Sequence, residues 1–164
     1  EMMTRIVAIG ANLKDWVRKK GKGKDKDERQ RLYDQLEELW PKAIKLVYGN
    51  FDGDYYYCEM CGKPYQEGKE AGVAPGLNAH HIEGKASYNI RWEVTNGTPI
   101  DAGCHTMRKD SAHQDRTIFL GKMIEIRGQK WYDNLLKIKG EKEKWTIARM
   151  KEKKEELKKI IENY

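Results

Sequence analysis

The sequence predicts an α+β protein, in which a strand, turn, strand and helix unit is flanked by helices at both ends. Three observations predict it. Short strand-like stretches occur at Tyr55 to Tyr57, Asn78 to Ile82 and Thr98 to Ile100. Apolar residues recur at helical spacing before and after them. Glycine-rich and charged segments punctuate the rest. With 164 residues, 38% of them hydrophobic, the chain is long enough for one domain with a modest core.

Residues 1–27 read as an N-terminal segment and basic linker. Ile6 to Val17 could form one short helix, and Arg18 to Asp27 is a run of lysine, glycine and aspartate, either a solvated linker or an arm that touches DNA. Residues 28–50 form a helical lead-in, because Leu32, Leu36, Leu39 and Trp40 share one face. Pro41 is expected to end or kink that helix, with Ala43, Ile44, Leu46 and Val47 adding a turn or two before Gly49. Residues 51–115 hold the strands, and Pro64 to Leu77 should be a surface loop. Thr95-Asn96-Gly97 predicts a turn into the last strand, followed by a helix from about Ala102. Residues 116–164 read as helices, Thr117 to Ile126, Lys130 to Ile138 and a last one with Thr146 as N-cap. Fewer than three heptads with Lys154 in the seam favour packing of that helix on its own domain, and a monomer, over dimerisation.

Charged residues make up 35% of the chain and its net charge is +6, which suits an anionic partner such as nucleic acid. No apolar run approaches the roughly 20 residues that span a bilayer, and Glu1 to Gly10 lack the pattern of a secretory signal. An intracellular protein with no membrane partner is expected. Three cysteines, two of them in Cys58-x2-Cys61 beside histidines, point to metal ligation and not to a disulfide framework. A redox Cys-x2-Cys belongs at a helix start beside a βαβ pattern, and none is visible.

Cys58, Cys61 and Cys104 supply three of the four ligands that structural Zn²⁺ takes. Asp101 stands where a second Cys-x2-Cys would place its first cysteine, and two roles are open to it. Its carboxylate could complete the zinc set, or it could cap the helix that begins near Ala102. His80-His81, Asn96 and His105 follow in an order that scattered structural histidines have no reason to adopt. Strand neighbours face opposite ways, so His80 and His81 can share one site only at a strand end or distortion. His113 follows His105 by eight residues, about 12 Å along an unbroken helix, and is expected to lie outside any ligand set.

At these residues the chain resembles the HNH endonucleases. The likeness spans roughly residues 57–113, through Cys58-x2-Cys61, Ala79-His80-His81-Ile82, Arg91-Trp92-x3-Asn96-Gly97 and Cys104-His105. It is closest to small phage HNH proteins and, more loosely through Phe119, Gly128, Trp131, Leu135 and Lys144-Trp145-Thr146, to phage recombination nucleases of the NinG type. The resemblance implies a ββα-metal centre with a zinc knuckle. It makes His80 and His105 ligands of a catalytic Mg²⁺ or Mn²⁺, His81 the general base and Asn96 the residue that holds His81 in position. It further implies hydrolysis of DNA phosphodiester bonds to 5′-phosphate and 3′-hydroxyl ends, with a branched recombination intermediate as a special substrate. Lys85 and Arg91 are candidate phosphate contacts. The rival reading is a non-catalytic zinc-ribbon nucleic-acid binder, in which the histidines only support the fold. Asp101 in place of the usual cysteine is the one departure from the pattern, and it bears on the structural zinc alone.

Overall fold

A computed structural model of the chain describes residues 27–141 and 144–164. The expected helix at Ile6 to Val17 and all but the last residue of the basic run lie outside the described residues. The architecture is mixed α+β, with helices around two small two-stranded antiparallel sheets.

Helix α1 covers residues 27–48. Leu32, Leu36, Trp40, Ala43 and Ile44 fall on its buried face. Of the two effects expected of Pro41, ending the helix is not seen, and α1 runs on through it. A mid-helix proline removes one hydrogen bond and crowds the preceding turn, at a cost of about 3 kcal/mol. Here Trp40 on one side of it and Ala43 and Ile44 on the other are all buried, and packing on both sides carries the helix through.

Strands β1 (Tyr55–Tyr57) and β2 (Pro64–Gln66) pair antiparallel, with Tyr57 opposite Pro64. Strand β2 occupies the start of the expected surface loop. Proline is tolerated at the first residue of an edge strand, so its presence concealed this element. Strands β3 (Leu77–His81) and β4 (Gly97–Asp101) form the second sheet, with His80 opposite Thr98 and His81 opposite Gly97. Two 3₁₀ turns, Tyr88–Ile90 and Val94–Asn96, link them. Gly97 opens β4 in extended conformation, so its lack of a side chain serves packing and not the turn. A Cβ there would lie 2.2 Å from Ile44 Cδ1 and 2.8 Å from Trp40 Cζ2, and only glycine lets α1 lie this close to the strand.

After β4 comes a single wide turn of π-helix, Gly103–Met107, which stops at the extended residue Arg108. Helix α2 (Arg116–Arg127) starts where Asp115 accepts a hydrogen bond from the Ile118 amide. Helix α3 (Gln129–Gly140) follows across Gly128, whose φ of 90° favours glycine. Helix α4 (Ile147–Glu162) is capped by Thr146, as its sequence predicts. Met150 and Leu157 of α4 pack with Trp92, Trp145 and the apolar face of α1 in one core cluster. Leu77, Ile82, Ile100, Phe119, Met123 and Leu135 belong to the other, which lies under the sheet β3–β4.

Arg127 joins these parts. Its guanidinium donates to both Glu59 carboxylate oxygens at 2.6 Å and to the Gly97 carbonyl at 2.7 Å, and it lies 3.6 Å from the Tyr48 ring centroid. Both side chains are under a tenth exposed. Removing one partner of such a pair strands a buried charge, so Arg127→Met is expected to cost about 3–5 kcal/mol in urea unfolding. The double change Glu59→Gln with Arg127→Met should cost less than the single one. Equal losses would show that the ion pair is not what binds these elements.

Candidate metal centres

Among the described residues, two groups of ligand-bearing side chains come together. Cys58, Cys61, Asp101 and Cys104 place one ligand atom each within 4.8 Å of the others. Tetrahedral Zn²⁺ with sulfur ligands at about 2.3 Å holds them about 3.8 Å apart, so this set fits such an ion with small adjustment. The backbone prepares the knuckle. Gly62 adopts a φ of 70°, and its amide donates to the Cys58 carbonyl at 2.8 Å, which turns the chain back on itself. The amide of Asp101 donates to Cys58 Sγ at 3.4 Å, and Arg108 donates to Cys104 Sγ at 3.5 Å. Donors of this kind favour thiolates.

Asp101 makes the capping contact with one oxygen and turns the other toward the cysteines. Oδ1 accepts from the Cys104 amide at 2.6 Å, as a cap does, while Oδ2 lies 3.6 Å from Cys61 Sγ. Burial works against its ionisation. Hydrogen bonds from the Cys104 amide and from the neighbouring thiols, together with the Arg108 charge, outweigh burial and hold the carboxyl below its ordinary range. The thiols behave oppositely. Burial pushes Cys58 up, and burial with the adjacent Cys58 pushes Cys104 up further. A cation reverses that balance by stabilising thiolate, so occupancy of this set is coupled to proton release.

The second group is His80, His105 and His113, whose ring nitrogens also lie within 4.8 Å of one another. The expected exclusion of His113 is overturned. The π turn breaks at Arg108, and the chain folds back so that the His113 amide donates to the His105 carbonyl at 3.1 Å and the Ala112 amide to the Cys104 carbonyl at 2.9 Å. The two Nε2 atoms then stand 3.0 Å apart. An unbroken helix would have held them far from each other. Lys109-Asp110-Ser111 is the turn chemistry that could have revealed the reversal. Burial, reinforced by His105 and His113, pulls the His80 pKa down to about 3, and burial with the His113 charge lowers His105. Both shifts favour the neutral form that a metal ligand needs. Three imidazoles fit a divalent transition ion.

His81 points to the opposite face of β3. Its ring stacks on Trp40 with centroids 4.0 Å apart and planes 12° from parallel. Its Nε2 lies 2.9 Å from the Arg91 carbonyl oxygen. A carbonyl only accepts, so Nε2 carries the proton and the neutral ring keeps its lone pair on Nδ1. Burial, partly opposed by that carbonyl, draws the His81 pKa down to about 4. Asn96 is fully buried, and its side-chain hydrogen bonds go to the backbone and not to His81. Its Oδ1 accepts from the Glu83 amide at 2.9 Å and its Nδ2 donates to the Ile90 carbonyl at 3.1 Å. Asn96 thereby ties the backbone just after His81 to the residue before Arg91, whose carbonyl meets the His81 ring.

The two candidate phosphate contacts separate. Lys85 is exposed, and its charge is felt at His81. Arg91 is 8% exposed, and its Nε and Nη2 donate to the two Glu37 carboxylate oxygens at 2.8 and 3.1 Å while Nη1 meets the Lys85 carbonyl. It ties the β3–β4 connection to α1. Glu83 and Arg116 were not anticipated. The Glu83 carboxylate is buried and receives Tyr132 Oη at 2.9 Å, Lys139 Nζ, and Arg116 Nη2 at 2.9 Å. Arg116 keeps 60% of its side chain exposed, and its charge is felt at His80. No local signal in the sequence joins these distant positions.

The chain matched no protein-family model, no curated protein and no solved structure. No described helix is long and apolar enough to cross a membrane.

Proposed function

We propose that the protein is a metal-dependent endonuclease of the HNH type that hydrolyses phosphodiester bonds in DNA, with Zn²⁺ held by Cys58, Cys61, Cys104 and Asp101 and a second divalent ion held by His80, His105 and His113. The observation that carries this reading is the sorting of two adjacent histidines. His80 joins a ligand set, while His81 is pinned by a carbonyl that leaves Nδ1 free to accept a proton.

The ion at the histidines supplies a Lewis acid that offsets charge developing on the phosphate and the leaving oxygen. His81 does the proton chemistry. Its Nδ1 takes a proton from water as the water oxygen bonds to phosphorus. The P–O3′ bond breaks and O3′ takes a proton from solvent water to leave as a hydroxyl, so the ends are 5′-phosphate and 3′-hydroxyl. Stacking on Trp40 and the bond to the Arg91 carbonyl fix the plane of the ring, which favours one direction of proton transfer. Lys85 and Arg116 are the exposed cations nearest these histidines by electrostatic effect, and they are suited to meet the strand. Three imidazoles without a carboxylate suit Mn²⁺ better than Mg²⁺, which prefers oxygen.

One observation favours the rival, a non-catalytic zinc-ribbon binder: His81 is only 6% exposed. A plasmid-nicking assay separates the two. The endonuclease is expected to convert supercoiled plasmid to open circles with added Mn²⁺, and more slowly with Mg²⁺. A binder retards the plasmid on a gel and leaves it supercoiled with either ion.

A further inference from the structure

A surface groove of about 620 Å³ lies along the β3–β4 connection, lined by Arg29, Ser87, Tyr88, Lys139, Lys144 and Trp145. Tyr88 is 50% exposed, yet its backbone is firmly held. Trp145 Nε1 donates to the Tyr88 carbonyl. The next residue, Asn89, donates through Nδ2 to the carbonyls of Ile138, Lys139 and Glu141 at 3.3, 2.6 and 2.6 Å. Ile90 after it is fully buried. A fixed turn therefore presents an aromatic ring to solvent, and little ordering remains to oppose a ligand that stacks there.

Among the described residues that line the groove, Arg29, Lys139 and Lys144 are cationic and none is a carboxylate. Two runs of neighbouring residues lead from the groove toward the histidines. Ala86 lines it, and the preceding Lys85 is felt electrostatically at His81. Lys139 pairs with Glu83, which pairs with Arg116, whose charge is felt at His80.

We propose that this groove is a subsite for an unpaired nucleotide of a DNA strand, with its base stacked on Tyr88 and its flanking phosphates against Arg29 and Lys144. Bases within a duplex are already stacked on their neighbours and do not offer a face to a protein ring. An aromatic set among cations selects strands whose bases are free. The substrate class is thus DNA with a single-stranded or unpaired segment next to the bond that is cut. Placing that segment beside the scissile bond rests on the endonuclease reading above, whereas binding in the groove does not.

The test measures binding by fluorescence anisotropy in the His81→Ala background, so that DNA stays whole. The probes are a short labelled oligothymidine and a duplex of equal length at one salt concentration. Tyr88→Ala is expected to weaken single-strand binding by about tenfold, the usual effect of losing one stacked base, and to leave duplex binding nearly unchanged. Tyr88→Phe, which keeps the ring, should bind as the parent does. Lys144→Glu should weaken the single strand and flatten its salt dependence. The proposal is overturned if Tyr88→Ala binds the single strand like its parent, if it weakens both probes by one factor, or if Tyr88→Phe is as weak as Tyr88→Ala. The tryptophan emission of each variant reports whether the Trp145 anchor survives. If the parent does not nick plasmid but the Tyr88 pattern holds, the endonuclease reading falls and the groove stands. If it nicks plasmid and the Tyr88 pattern is absent, the groove alone falls.

Discussion

Replacing His81 with alanine is expected to lower the rate of DNA cleavage by about 10²- to 10⁴-fold, the usual worth of a positioned general base, with affinity for Mn²⁺ nearly intact. The separation follows from geometry. His81 stacks on Trp40 and bonds to the Arg91 carbonyl, whereas His80 lies with His105 and His113. His80→Ala, His105→Ala and His113→Ala should each weaken metal binding along with cleavage, and excess Mn²⁺ should restore part of their activity. It should not restore His81→Ala, because added metal cannot replace a missing proton acceptor. Asn96→Ala should be a milder form of the base variant, since its side chain holds only the backbone around His81. Metal titration followed by single-turnover cleavage reads both quantities. Parent-like cutting by His81→Ala removes the base assignment, and parent-like metal affinity of His113→Ala removes the third ligand.

Stripping metal from the cysteine set should unfold the protein. Structural zinc contributes about 10–16 kcal/mol of apparent binding energy in small domains, and a domain has a net stability of only about 5–15 kcal/mol. The larger quantity decides the outcome. Elemental analysis of protein purified without added metal is expected to find about one tightly held zinc per chain, and circular dichroism should show helix loss as a strong chelator removes it. A zinc-free sample with unchanged helix content would rule this out. Asp101 separates ligation from capping because its two oxygens do different work. Asp101→Asn keeps an acceptor for the Cys104 amide and should release zinc more readily with little other change. Asp101→Ala loses both functions, and the missing cap adds about 1 kcal/mol.

The parts of this molecule legible in the sequence are those governed by local spacing. Leu32, Leu36 and Trp40 mark the buried face of α1, Thr146 caps α4, and Cys58-x2-Cys61 makes a knuckle, because each depends on residues a few positions apart. Pro41 does not end α1, since its cost is local while the burial that overrides it is tertiary. His113 was misplaced because an unbroken helix was assumed where a π turn ends at Arg108. Arg91 meets Glu37 across 54 positions, and Arg127 meets Glu59 across 68. Such pairs leave no periodic trace, so a cation that ties elements together looks in sequence like one that faces DNA.

Cys104 and His105 are neighbours in the chain, yet one faces the cysteine set and the other the histidine set. This adjacency governs which changes of length the protein tolerates. The stretch from Glu67 to Gly76 lies between β2 and β3 and bears no ligand of either set, so a residue added at its exposed Lys69-Glu70-Ala71 turn is expected to leave both sets intact. Between Cys104 and His105 the permitted number of added residues is zero. One more would rotate a ligand away from one set or the other, and zinc content and Mn²⁺ affinity measured on such an insertion would show which set had given way.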